Sequence, residues 1–351
     1  MTAPGAPLRP AAIPSVPLAP PRSSSPAAGA ADASAAETLR ALQRTIAPAV
    51  VGSESLVRLL TLSLASGGHV LLEGVPGLAK TYLVRSFASS LALDYKRIQF
   101  TPDMLPSDVI GAVVIDPHSR DFEFRPGPVF ANVVLADEIN RASPKVQSAL
   151  LEAMQERQVT VEGRSYPLPL PFIVIATQNP IEQEGTYPLP EAELDRFLFR
   201  IVLGYPNQED EFKILRTRSD SGDVVPERPV VSAADIARFQ AEARAIFVHD
   251  DVLRYLGSIV RGTRADPRVL FGGSPRAGVQ FLGAAKAAAL FAGRSFVVPD
   301  DVKELAFPSL NHRLVLHPEA LAQQIATGKG TTEELLKDVV NAALHSAEVP
   351  R

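Results

Sequence analysis

The chain has 351 residues, 46% of them hydrophobic and 21% charged, a globular composition long enough for about two domains. With 35 Lys plus Arg against 39 Asp plus Glu, the net charge of -4 supplies no excess positive field for nucleic acid or an anionic membrane. The absence of Cys excludes disulfides, thiol nucleophiles and thiolate zinc sites, and the six His (His69, His118, His249, His312, His317, His345) lack the spacing that sets two ligands on one helix face.

Residues 1–36 hold eight of the 31 prolines among Ala and Ser, with few large apolar side chains to offset the entropy of ordering. A disordered tail is expected there, read as an extended linker in preference to a proline-rich docking segment. It has no continuous apolar region of the kind a signal peptide carries, and no run in the chain reaches the roughly 18 residues of a membrane-spanning helix. A cytoplasmic protein is expected. From Glu37 onward, Leu39, Leu42 and Ile46 fall at helical spacing, and residues 54–65 read as a second helix stopped by Gly67 and Gly68.

Short β-branched runs at 69–73, 96–100, 133–136, 172–176 and 199–203 then alternate with helical stretches. That alternation predicts an α/β core, a parallel sheet with helices on both faces. Residues 111–125 and 157–168 each read strand, turn, strand, with Asp116-Pro117 and Glu162-Gly163 as turns, and look like hairpins inserted into the core. Beyond Asn207 the strand signals stop, and helical patterns dominate through 278–291 and 332–345, with a polar loop at 219–229. The expected organisation is a tail (1–36), an α/β core (37–205) and a smaller all-helical domain (206–351).

The octapeptide Gly74-Val75-Pro76-Gly77-Leu78-Ala79-Lys80-Thr81 follows the first strand and precedes a helical stretch, the context a P-loop requires. Backbone N–H groups of such a loop surround phosphates, Lys80 neutralises the β and γ charges, and Thr81 offers an oxygen to Mg2+. Ala79 stands where the general pattern has its last Gly. A negative, helical φ is therefore expected there, because only a positive φ would demand Gly. The third strand ends in Asp137-Glu138, two acids suited to holding the metal's hydration shell and polarising the attacking water. The fourth runs into Thr177-Gln178-Asn179-Pro180, which sets Asn179 at the strand edge where open parallel sheets place their ligands.

Together, GVPGLAKT, VVLADEINRASPKVQSALLEAMQERQVTVEG, ATQNP and YPLPEAELDRFLF closely resemble the MoxR family of AAA+ ATPases, from about Glu37 to the C-terminal helices. The resemblance implies that residues 74–81 are Walker A, Asp137 and Glu138 Walker B, and Asn179 sensor 1. Arg196 resembles the arginine finger, which acts on a neighbouring subunit's site and so requires an oligomer. Arg276, opening a helix of the lid domain, resembles sensor 2. Val51 and Gly52 are similar to the segment that packs on the adenine, although Ser53 capping the next helix is equally compatible with the sequence. The hairpins resemble the helix-2 insert and the pre-sensor-1 hairpin, which face the axial surface of the ring.

Further implied are ATP and Mg2+ as ligands, a homo-oligomeric ring (a hexamer), a protein client and a von Willebrand factor A domain partner. The function expected is ATP-driven remodelling or maturation of clients. One alternative is a DNA-associated motor, against which stand the acidic balance and the lack of a basic, aromatic stripe. The other is an ATP-binding scaffold with little turnover, against which stands the joint presence of Glu138, Asn179, Arg196 and Arg276.

Overall fold

The computed structural model describes residues 34–350 apart from 51, 53, 119–120, 181–184, 222–224, 227 and 328–329. The expected tail falls outside the described residues up to 33, as do Val51, Ser53 and part of the polar loop at 219–229. The first helix, α1 (Ala35–Ile46), starts two residues earlier than the apolar spacing places it. The cause is a reciprocal cap: Ser34 Oγ accepts the Glu37 N–H at 3.3 Å, and Glu37 Oε2 accepts the Ser34 N–H at 2.9 Å. Leu39, Leu42 and Ile46 are fully buried, as their helical spacing requires.

Five parallel strands form the central sheet: β1 (Val70–Gly74), β2 (Tyr95–Gln99), β3 (Val133–Asp137), β4 (Ile173–Gln178) and β5 (Phe199–Leu203), in the order β5-β1-β4-β3-β2. All five correspond to the runs predicted as strands. Both faces of the central strands β1, β3 and β4 are buried, and side chains alternate between two cores, whereas edge strand β2 exposes Lys96, Arg97 and Gln99. Val70, Leu72, Val133, Leu135, Ile173 and Ile175 face the larger one, whereas Leu71, Val134, Ala136, Val174 and Ala176 face the other. On the first side lie α2 (Glu54–Ser66) and α3 (Lys80–Ser89), through residues such as Leu60, Val84 and Phe87. The second side is covered by the helix Pro144–Glu156, through Val146, Leu150 and Leu151. The strands stay short and β-branched because helices close both faces, so no polar face is needed.

Both hairpins are present. Gly111–Ile115 pairs antiparallel with Phe122–Pro126, and Gln158–Val161 with Arg164–Pro167. The first is pinched at its base by Gly111, whose φ of 91° and backbone approach leave no room for a side chain: a Cβ would stand 2.3 Å from the Arg125 carbonyl oxygen. The rings of Phe124 and Tyr166 stack at 3.9 Å, so the two insertions support each other.

The C-terminal part is mostly helical, including Gln208–Ser221, Ala233–Ala245, Asp250–Ala265, Pro275–Phe291, Pro299–Leu310 and Thr332–Ser346. It is not purely so. Val231–Ser232 adds to Leu91–Ala92, and Val269–Phe271 pairs with Val315–Leu316, pieces of two or three residues, too short to leave a period-two signal. The larger core continues from the sheet through α1 and α2 into Phe239, Phe281 and Leu305, so the first two helices are packed as much on the C-terminal helices as on the sheet. No described helix is long and apolar enough to cross a membrane.

Candidate nucleotide site

The loop after β1 opens on a cleft of about 650 Å³ lined by Pro76, Gly77, Leu78 and Ala79 of the loop and by Gly52, Ile201, Leu203, Ile214 and Leu215. The fit is set by two glycines. A Cβ on Gly74 would come within 3.0 Å of the Leu203 carbonyl oxygen, and Gly77 takes a φ of 88°. The apolar wall comes from β5 and the helix Gln208–Ser221, far from the loop in sequence.

Ala79 departs from expectation. Its φ is 55° and ψ 25°, in the left-handed region, not helical. The physical reason is its place as N-cap of α3: a cap stands outside the helix and turns the chain into it, and here the turn takes a conformation that costs an L-residue about 1–2 kcal/mol. Lys80 and Thr81 then open α3. Lys80 Nζ donates to the Gly74 carbonyl and, at 3.5 Å, to that of Gln178, so it spans the loop between β1 and β4.

The ends of β3 and β4 carry the acids. Asp137 is 5% exposed, and its Oδ2 accepts Thr81 Oγ1–H at 3.1 Å. Thr177 Oγ1 donates to Asp137 Oδ1 at 2.6 Å while accepting the Glu138 N–H at 2.9 Å, so one buried hydroxyl fixes both acids. Glu138 is also left-handed, with φ 58° and ψ 48°, the kind of strain that persists where surrounding bonds over-determine it. Its Oε2 accepts Arg141 Nη1 at 3.0 Å and Gln99 Nε2 at 2.8 Å. Arg97 donates to Asp137 Oδ2 from Nε at 3.0 Å and from Nη2 at 2.8 Å. Asn179 is 5% exposed, and its carbonyl accepts Asn140 Nδ2 at 3.3 Å.

Behind the loop, the buried carboxylate of Glu73 accepts from Gln178 Nε2 and Arg200 Nη2, tying β1 to both neighbouring strands. Thr81 and Asp137 thus offer hard oxygens 3.1 Å apart, a donor set that suits Mg2+.

Sequence matches agree with this geometry. Residues 69–199 match the ATPase family associated with various cellular activities (AAA), and residues 261–339 match the AAA lid domain. YeaC of Bacillus subtilis is 46% identical over 84% of this chain and 90% of its own length. Chaperone MoxR1 of Mycobacterium tuberculosis is 44% identical over 92% of this chain and 86% of its own. A crystal structure from Cytophaga hutchinsonii superposes with a TM-score of 0.79 at 40% identity, covering 90% of this chain and 96% of that one. The chain belongs to the MoxR family of AAA+ ATPases.

Against the AAA+ pattern, the structure brings Lys80, Thr81, Asp137, Glu138 and Asn179 to one edge of the sheet. Arg196 follows the short helix Glu191–Leu194, and Arg276 lies in the first turn of the helix Pro275–Phe291. The segments that carry them touch: Asp195, next to Arg196, accepts the Ser274 hydroxyl at 3.2 Å, two residues before Arg276. Arg276 Nη1 reaches Gln155 Oε1 at 3.4 Å. Arg313, with a side chain only 1% exposed, pairs with Asp195 at 3.3 Å and donates to the Phe197 carbonyl at 2.6 Å. Burial, against the pull of Asp195, brings its guanidinium down to about 10. Glu193 accepts the Ser148 hydroxyl at 3.1 Å.

Sequence reading missed Arg97, Gln99, Thr177, Arg141 and Glu73. Thr177, buried and polar at a strand end, was the most legible of these. Arg141 bonds Glu138 three residues away, whereas Arg97, Gln99 and Glu73 acquire meaning only from the strand order.

Proposed function

We propose that this MoxR-family protein hydrolyses ATP as a ring-forming, chaperone-type remodelling machine. The observation that carries the reading is the convergence of Lys80 and Thr81 from α3 with Asp137 and Glu138 from β3 beside a cleft of nucleotide size. Loop N–H groups and Lys80 would bind the phosphates, and the apolar residues of β5 and the helix Gln208–Ser221 would take the base. Gly52 lies on the same wall. Mg2+, held through Thr81 and Asp137, would supply charge neutralisation on the phosphate oxygens. Glu138, its backbone fixed by Thr177, would accept a proton from the attacking water, and Asn179 would orient that water.

Arg196, as the arginine finger, would act on a neighbour's nucleotide, and Arg276, as sensor 2, would contact the γ-phosphate and couple the lid to nucleotide state. In this reading residues 37–205 form the ATPase unit and 206–351 the lid. The mycobacterial relative is named a chaperone, and we extend that role here, with a protein client, a von Willebrand factor A domain partner, a hexameric ring and a cytoplasmic setting.

The test is steady-state ATP hydrolysis across protein concentrations for wild type, Arg196→Ala, Glu138→Gln and a mixture of the two variants. Glu138→Gln should lose about 10²–10⁴-fold in turnover while retaining ATP. The mixture should regain activity, because some interfaces then pair an intact Glu138 with an intact Arg196. Flat specific activity with concentration, together with wild-type turnover by Arg196→Ala, would overturn the shared site. Wild-type turnover by Glu138→Gln would overturn the role of the acid.

A further inference from the structure

The carboxylate assigned to the metal already carries a cation. Arg97 lies on β2, beside β3, with Arg97 opposite Leu135 and Gln99 opposite Asp137. From that position its side chain runs toward the strand ends and places two N–H groups on Asp137 Oδ2, at 3.0 and 2.8 Å. This is the same oxygen that accepts the Thr81 hydroxyl. Arg97 Nη2 donates to Gln99 Oε1 as well, and the amide of Gln99 reaches Glu138. Arg97 is therefore a cation positioned by two partners.

A guanidinium remains charged at any physiological pH and binds carboxylates and phosphates through the same fork of donors. A divalent ion approaching Thr81 and Asp137 meets that charge on the oxygen it needs. Asp137 is nearly buried and the Arg97 side chain is 47% exposed, so water screens the repulsion only in part. Phosphate groups are the natural alternative partner for the displaced fork, and they arrive only with nucleotide.

We propose that Arg97 guards Asp137 against free divalent cations, so that Mg2+ is admitted together with nucleotide phosphates and not before them. The inference rests on the ATPase reading of this site. It makes Arg97 a residue that governs metal entry, which none of the motif assignments covers.

The experiment uses the full chain as wild type, Arg97→Gln and Arg97→Lys, with far-UV circular dichroism to confirm folding. Binding of a fluorescent ADP analogue is titrated against Mg2+, and Mn2+ binding without nucleotide is followed by electron paramagnetic resonance. Removing a like charge this close should lower the half-saturating Mg2+ by at least about tenfold in Arg97→Gln. The same variant should bind Mn2+ in the absence of nucleotide where the wild type does not. Arg97→Lys, with a point charge and no fork, should fall between the two, and it carries the test if the glutamine variant does not fold. An unchanged Mg2+ requirement would overturn the proposal by showing the pair to be structural only. An increased requirement would overturn it in the other direction, by making Arg97 a ligand of the metal–nucleotide complex. If the wild type binds no nucleotide at any Mg2+ concentration, the ATPase reading fails, and the Mn2+ comparison still decides whether Arg97 competes for Asp137.

Discussion

Replacing Thr177 by Val keeps the shape of a side chain that is 1% exposed and removes only its hydroxyl. That hydroxyl makes one bond to the charged Asp137 and accepts one from the Glu138 backbone. A hydrogen bond to a charged group contributes about 1.5–3 kcal/mol and a neutral one about 0.5–1.5 kcal/mol, so the loss should be about 2–4 kcal/mol of stability. The left-handed Glu138 would lose the bond that holds its N–H. If about 2 kcal/mol of that loss falls on alignment of the acid in the transition state, turnover drops about 30-fold. Urea unfolding and steady-state ATP hydrolysis measure the two effects separately. Thr177→Ser, which keeps the hydroxyl and deletes a methyl, should cost about 1 kcal/mol of packing and retain most of the turnover. A valine variant that unfolds within about 0.5 kcal/mol of wild type and hydrolyses ATP normally would refute the bridging role.

Two further outcomes follow from backbone strain and from burial. Ala79→Gly should stabilise the protein by about 0.5–1 kcal/mol, because relief of the left-handed strain exceeds the freedom gained by the unfolded chain; a lower urea midpoint would contradict the φ of 55°. His69 donates from Nε2 to the Met154 carbonyl at 3.2 Å and accepts the Val174 N–H at Nδ1 at 2.9 Å, a neutral ring satisfied on both sides. Burial holds its pKa at about 4, below the unfolded 6.5, so the unfolded chain binds the extra proton and the stability present above pH 6.5 is lost as the pH falls toward 4. By pH 5 this amounts to about 2 kcal/mol, and His69→Gln should flatten the stability profile by that amount between pH 7 and 5; an unaltered profile would place the pH dependence elsewhere.

The central strands β1, β3 and β4 were legible in the sequence because they are buried on both faces and therefore read as apolar runs. The P-loop and the acid pair were legible for the same reason: local spacing puts Lys80 and Thr81 at a helix start and Asp137 and Glu138 at a strand end. Local spacing misjudged Ala79, since a residue's φ at a helix cap depends on the direction from which the loop arrives. It also could not see the short strands Val231–Ser232 and Val269–Phe271, whose pairing is decided by their partners.

By itself, then, the order of residues determined the elements, the phosphate loop and which acids could act, all of them properties of neighbours along the chain. The tertiary structure decided what surrounds them. Strand order β5-β1-β4-β3-β2 puts β2 beside β3, and only that adjacency brings Arg97 onto Asp137 and Gln99 onto Glu138. The same packing brings the segment before Arg276 onto Asp195, beside Arg196. Side-chain contacts between strands 40 residues apart depend on which edges hydrogen-bond, and no periodicity within either strand encodes that choice.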